Sequence, residues 1–209
     1  MYTVKKVGKA LTVPEGEFDP AKADFQGTED AVIGIYPWDE SGYRPEAHAR
    51  LGWNEEGLQV LCYAREKEIQ AKETRFGGGV CVDSCLEFFF MPFPDQRKEY
   101  INCECNAAGV MHIGFGEGRN GRTVLQEPPA GLNVMHSLHK GEWWAVSYTV
   151  PIALIRSFTG CELKSGLSMK GNFYTCDESV HPHFGVWNPV KADHPDFHRP
   201  ECFGDLTLE

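Results

Sequence analysis

Glu87, Asn102 and Glu104 are the residues whose types and spacing most suggest chemistry. They lie in two alternating runs, 84–91 and 99–106, joined by the turn-rich segment 92–98. Side chains alternate from face to face along a strand. Leu86, Phe88, Phe90, Ile101, Cys103 and Cys105 therefore share one face, and Glu87, Asn102 and Glu104 share the other. Two carboxylates and an amide suit a hydroxyl-rich ligand, because they supply both acceptors and donors. The alternative is an ordinary solvated strand face. A third run places Asn172 and Tyr174 on one face, which would add an amide and an aromatic hydroxyl to the same surface. The stretch 187–206 is rich in Pro and holds Trp187, Phe197, His194, His198 and Arg199. Trp187 and Phe197 could supply rings that stack on a sugar, with His198 and Arg199 as further polar contacts. Rings beside hydrogen-bonding groups suit sugars, whose faces are apolar and whose rims are hydroxyls. The same rings could instead close the end of a core.

Other chemistries fit less well. A glycosidase needs two carboxyls about a scissile bond, at roughly 5 or 6.5–9.5 Å. Glu87 and Glu104 would project from the same side of a sheet rather than flank a bond. Hydrolysis is one enzymatic alternative. A metal-dependent enzyme is another, with His181, His183, His194, His198, Asp193 and Asp196 as donors, although no fourth-ligand pattern follows them. Met111 with His112, or Met135 with His136, could suggest haem. Adjacent strand residues point to opposite faces, so haem would need ligands from distant segments, and a haem- or protein-binding sandwich domain remains the second alternative. The Gly-rich run 114–119 precedes no helical pattern, so it lacks the helix N-terminus that would cradle a phosphate.

These side chains need a rigid scaffold, and short alternating runs dominate the chain. They begin at Ala47, Leu58, Leu86, Ile101, Val110, Trp143, Asn172 and Phe203, with Gly, Pro, Asn and Asp between them. Strands so spaced predict an all-β protein, a single antiparallel β-sandwich of immunoglobulin or jelly-roll type with little helix. One short helix is expected over 151–158, with Pro151 in its first turn. Residues 14–46 read as irregular wrapping rather than a linker, because Ile33, Ile35, Tyr36 and Trp38 need burial.

The chain has 209 residues, 42% of them hydrophobic and 24% charged, which suits one globular domain over 1–209. The net charge of −10, with no Lys/Arg cluster, argues against a nucleic-acid partner. No apolar run could span a bilayer, so no membrane partner is expected. Lys5, Lys6 and Lys9 precede no apolar stretch, so the sequence as it stands reads as cytoplasmic, or as extracellular if a leader was removed. The eight cysteines include no Cys-x-x-Cys pair, and Cys62, Cys103 and Cys105 sit at apolar positions, which points to reduced thiols.

The segments around Asp83 to Phe90, Tyr100 to Gly109, Gly171 to Tyr174, and Trp187 with Pro195 to Leu206 together resemble the carbohydrate-binding family 9-like proteins, relatives of the xylanase-appended modules. The resemblance runs from about Ala47 to Leu208. It implies a β-sandwich that holds a glucose- or xylose-type unit between aromatic rings. It further implies Glu87 as a hydroxyl acceptor, Glu104 at a position where the xylanase modules tend to be basic, Asn172 and Tyr174 on the third strand, and Phe197 as the terminal ring. Those modules also have a Trp before the acidic turn, where this chain has Gly79-Val80-Cys81-Val82. They bind structural calcium, though spacing alone locates no calcium loop here.

Overall fold

Alternation becomes real pairing wherever both faces of a strand find something to bury. The computed structural model describes residues 1–14, 16–138 and 142–209. Its strands are β1 (Tyr2–Lys6), β2 (Ala31–Val32), β3 (Glu46–Asn54), β4 (Gly57–Arg65), β5 (Cys85–Met91), β6 (Tyr100–Asn106), β7 (Met111–Gly116), β8 (Thr123–Val124), β9 (Met135–Ser137) and β10 (Trp143–Pro151). Helix α1 (Ile152–Thr159) follows, then β11 (Ser168–Asp177), β12 (His183–Val186) and β13 (Gly204–Leu208). The helix starts after Pro151, as its sequence predicts, and ends where Gly160 takes a left-handed conformation at φ 72°. Among the described residues no helix is long and apolar enough to cross a membrane.

The chain is all-β with little helix, as expected, but the sheet is mixed rather than purely antiparallel. The strand path runs β8-β7-β6-β5-β11-β13-β1-β3-β4-β10-β9. At its middle, β1 lies parallel to both neighbours: Tyr2, Thr3 and Val4 pair with Leu206, Thr207 and Leu208, and Lys5 and Lys6 pair with Gly52 and Trp53. Parallel neighbours need a long connection. Residues 7–45 provide one between β1 and β3. No hairpin turn marks β1 in the sequence, so its direction is set by tertiary packing alone.

The two halves of the path bury their inward side chains together. Leu51, Val60 and Val146 from one half meet Leu86, Phe88, Ile101 and Phe173 from the other. Phe88 stacks on Phe90 at 4.8 Å and on Phe173 at 4.7 Å between ring centroids. Cys62, Cys103 and Cys105 fill this core, and all eight cysteines are unpaired.

Both outer faces are also covered. Leu11, Val13 and Phe18 lie over Leu61, Tyr63 and Ala145 of β4 and β10. Val186, Val190, Phe197 and Phe203, with Val80, cover Phe89, Tyr100, Tyr174 and Cys176 of β5, β6 and β11. The wrapping expected of 14–46 is present in part: Ile33 is in the core, while Ile35 stays exposed.

Candidate binding cleft

The period-two reading of β5 and β6 holds. Glu87 is directly opposite Glu104 across the β5–β6 ladder and opposite Tyr174 across the β5–β11 ladder. The turn that returns β6 to β7 is fixed by Asn106, whose Oδ1 accepts from the backbone of Ala108 and Val110 at 3.2 and 3.0 Å. Its Nδ2 donates to Asp83 Oδ2 at 2.9 Å, which ties that turn to the entry of β5. Two rigid strands and two clamped ends thus hold the carboxylates side by side.

The face they occupy is not solvated. Glu87 is 2% exposed and Glu104 7% exposed. They line a cleft of about 80 Å³, whose wall includes Phe89, Phe184, Phe197, His198, Arg119 and Asp196. A water needs roughly 10–15 Å³ on this measure, so the space holds a handful of waters or about one sugar ring. Burial, and then mutual repulsion, push the Glu87 carboxyl well above the usual carboxylate range. Burial raises Glu104 as well, opposed by the positive field of His112 and by a 2.7 Å hydrogen bond from Asn102 Nδ2. Asn102 is in turn held by Arg122, whose Nη2 donates to Asn102 Oδ1 at 2.7 Å and to the Tyr100 carbonyl at 2.9 Å.

Glu87 is less well provided for. Among the described residues its Oε1 accepts only from the Cys176 thiol, at 3.2 Å, and its buried Oε2 has no hydrogen-bond partner. A buried, unpaired carboxylate oxygen is costly and calls for a donor from outside.

His198 and Phe197 reach the cleft from the C-terminal loop. The His198 Nδ1 lies 2.7 Å from the Tyr100 hydroxyl. Burial, reinforced by Arg122 and Arg119, pushes its pKa down to about 4, so the ring is neutral at neutral pH. With Tyr100 donating to Nδ1, the remaining nitrogen is a donor. Phe197 stacks on Tyr174 at 4.2 Å, and the Tyr174 hydroxyl donates to the Phe197 carbonyl at 3.2 Å. One face of the Phe197 ring is therefore spent inside the protein, and the residue is 9% exposed.

Four of the eight sequence-selected residues, Glu87, Glu104, Phe197 and His198, line one cleft. Tyr174 lies beneath it as the support for Phe197. Asn172 is fully buried and acts as a clamp: its Oδ1 accepts from the Asn188 backbone at 2.8 Å and its Nδ2 donates to the Asn188 carbonyl at 2.9 Å. Trp187 turns to the core side, edge-on to Phe173 at 5.7 Å and to Tyr2 at 6.1 Å. Arg199 pairs with Glu201 at 2.7 Å, away from the cleft. The cleft also uses Arg119, which pairs with Asp196 at 3.1 Å, along with Phe89 and Cys176. Phe89 and Cys176 share the strand parity of Glu87 and Tyr174. Nothing in the Gly-rich loop around Arg119 signals its role.

The histidines proposed as metal donors are dispersed. His183 is buried beside Glu66, with 3.9 Å between Nε2 and Oε1, while His198 is in the cleft. Among the described residues, Cys85, Glu87 and Cys176 form the one group of three metal-capable side chains. Calcium takes six to eight oxygen donors. Two sulfurs and one carboxylate do not fit it. The haem readings find Met111 in the core and His112 Nδ1 next to the Gly78 carbonyl at 3.0 Å.

Comparison with known proteins identifies the family and the fold. The profile of carbohydrate-binding family 9 matches residues 17–208. A Bacteroides uniformis protein provisionally described as carbohydrate-binding has 29% sequence identity and a TM-score of 0.79, with 99% of this chain and 98% of that one covered. A family 9 carbohydrate-binding module from Caldicellulosiruptor kristjanssonii, solved with glucose, has 13% identity and a TM-score of 0.63, covering 99% and 94%. Solved with cellotriose, a module from the same organism has 13% identity and a TM-score of 0.64, covering 100% and 93%. At that identity the likeness is one of fold. No curated protein matches the chain at a significant level.

Proposed function

The chain belongs to carbohydrate-binding family 9, and from that membership we propose that residues 1–209 act as one non-catalytic domain binding a mono- or oligosaccharide of glucose or xylose type. Glu87 and Glu104 accept from sugar hydroxyls, His198 adds a donor, and Phe197 with Phe184 forms the apolar wall. The observation that carries this reading is the buried Glu87 Oε2, which has no partner among the described residues and borders a cleft of about one ring's volume. Sugar hydroxyls would supply the missing donor, and the aromatic edges would meet the C–H face. The relatives solved with glucose and with cellotriose support this ligand class.

Calorimetric titration with glucose, xylose and cello-oligosaccharides tests the reading. Saturable binding is expected with at least one of them. Glu87→Ala should abolish it while the melting temperature stays near that of the parent. Absence of binding to every sugar in the series would refute the assignment.

A further inference from the structure

The cleft carries more acidic groups than a neutral sugar requires. Glu87, Glu104, Glu178 and Asp196 line it, and Arg119 is the one permanently charged cation in its wall. Arg119 is already paired with Asp196 at 3.1 Å. Arg122 lies behind the wall and is spent on Asn102 and on the carbonyls of Tyr100, Gly116 and Gly118, at 2.7–3.1 Å. His198 is neutral at neutral pH. Among the described residues, neither Glu87 nor Glu104 has a cationic side chain within ion-pairing distance.

Building on the carbohydrate reading above, we infer that this cleft selects a sugar carrying a protonated amine, of the 2-amino-2-deoxyhexose class, whose ammonium sits between the Glu87 and Glu104 carboxylates. Side chains directly opposite across an antiparallel ladder have Cβ atoms roughly 4.5–5.5 Å apart. One ammonium, with three donors, can therefore reach both carboxyls. It satisfies the unpartnered Glu87 Oε2 and also relieves the repulsion between the two acids. A neutral hydroxyl does only the first. Hydrogen bonds between ionised partners are roughly twice as strong as neutral ones. In the empty cleft a proton relieves the repulsion, since burial raises both carboxyls and the nearby Glu104 raises Glu87 further. The ammonium replaces that proton, which leaves to solvent.

A soft metal ion on Cys85, Glu87 and Cys176 is the competing occupant. It must displace two tightly held thiol protons: burial pushes Cys85 up to about 12, and the hydrogen bond with Cys85, then burial, raises Cys176. The ammonium needs neither thiol, so the charge pattern favours it.

The test is calorimetry on the whole chain with glucosamine, N-acetylglucosamine and glucose, at a mildly acidic pH where the free amine is charged. Glucosamine should bind about tenfold tighter than the other two, an ordinary gain for one charge-assisted contact. The preference should shrink to about twofold in Glu104→Gln. If glucose binds as tightly as glucosamine to the parent protein, the inference is wrong and the carbohydrate reading stands. If no sugar binds, both are wrong. Stoichiometric zinc that survives dialysis and is lost in Cys176→Ser would put the metal in place of the ammonium and overturn the inference.

Discussion

Two outer faces of one sheet are covered by the same device, an irregular segment laid across strands, yet only one is sealed. Over β4 and β10 the wrapping is apolar on apolar: Phe18 packs on Tyr63 at 5.2 Å and Phe25 stacks on it at 5.7 Å. The Val13 amide finds Ser147 Oγ at 3.1 Å, so the buried backbone is satisfied as well. Over β5, β6 and β11 the covering loop stacks Phe197 on Tyr174 just as closely, but leaves a cleft beside it. The difference lies in the strands beneath. One face presents Leu61, Tyr63 and Ala145, the other Glu87 and Glu104. A carboxylate sealed without a partner is far more costly than an apolar contact is favourable. The opening is thus a consequence of the residues it exposes.

The sharpest break of this comparison is a pair of truncations. Phe18→Ala should cost about 3–5 kcal/mol of stability, the usual range for a buried ring in a close-packed site. Its sugar affinity should remain that of the parent. Phe197→Ala should do the reverse, with a smaller stability loss and at least tenfold weaker binding. Urea unfolding and calorimetry on the two variants separate these outcomes. A Phe197→Ala protein that binds sugar normally would show that the loop is cover and nothing more.

Alternation makes the strand faces legible in the amino-acid order itself, because period two is a property of the backbone. It places Glu87 and Glu104 together, and Cys103 and Cys105 inside. It does not say what lies over each face. Asn172 has the parity of a ligand contact, yet its amide is consumed by Asn188. Trp187 sits in the loop richest in functional residue types, and its ring turns into the core against Phe173. Arg119 reaches the cleft through a Gly-rich loop with no periodicity at all. The parallel strand β1 is illegible for a similar reason: its partners are far away in sequence, and nothing local encodes its direction.

The chain does seal carboxylates elsewhere, and Glu66 sharpens the contrast. Glu66 is 3% exposed, accepts from Trp144 Nε1 at 3.1 Å and faces the orphaned Nε2 of His183. Burial, only partly offset by Ser84, pushes its pKa up from 4.5 to about 8. His183 Nδ1 lies 2.9 Å from the His181 carbonyl and donates to it, so Nε2 is the accepting nitrogen and a protonated Glu66 is its natural donor. The sign follows from linkage. Below pH 4.5 the acid is protonated whether the chain is folded or not. From there to about pH 8 only the folded protein holds the proton, so stability falls by up to about 1.4 kcal/mol per pH unit. Glu66→Gln keeps an acceptor and a donor without the charge. It should remove much of that slope and stabilise the protein by a few kcal/mol at pH 8, read from urea midpoints across pH 5–8. An unchanged slope would mean that Glu66 is ionised in the fold, and that this chain can seal a charged carboxylate after all.

The smallest effect concerns the rim between the two regimes. Arg119 and Asp196 form an ion pair with side-chain exposures of 62% and 16%. An exposed pair of this kind contributes roughly 0–1 kcal/mol, so Arg119→Ala should leave the unfolding midpoint nearly unmoved. Affinity should respond more than stability does. The same Asp196 oxygen accepts from the His198 amide at 3.1 Å, which fixes the turn carrying Phe197 and His198 into the cleft. Freed of Arg119, that oxygen also adds an uncompensated negative charge to the wall. A neutral sugar should then bind a few-fold more weakly and an amino sugar less so, with the difference fading at high salt as screening takes over. Equal losses for both ligands would assign Arg119 to holding the loop in place rather than to the charge balance of the cleft.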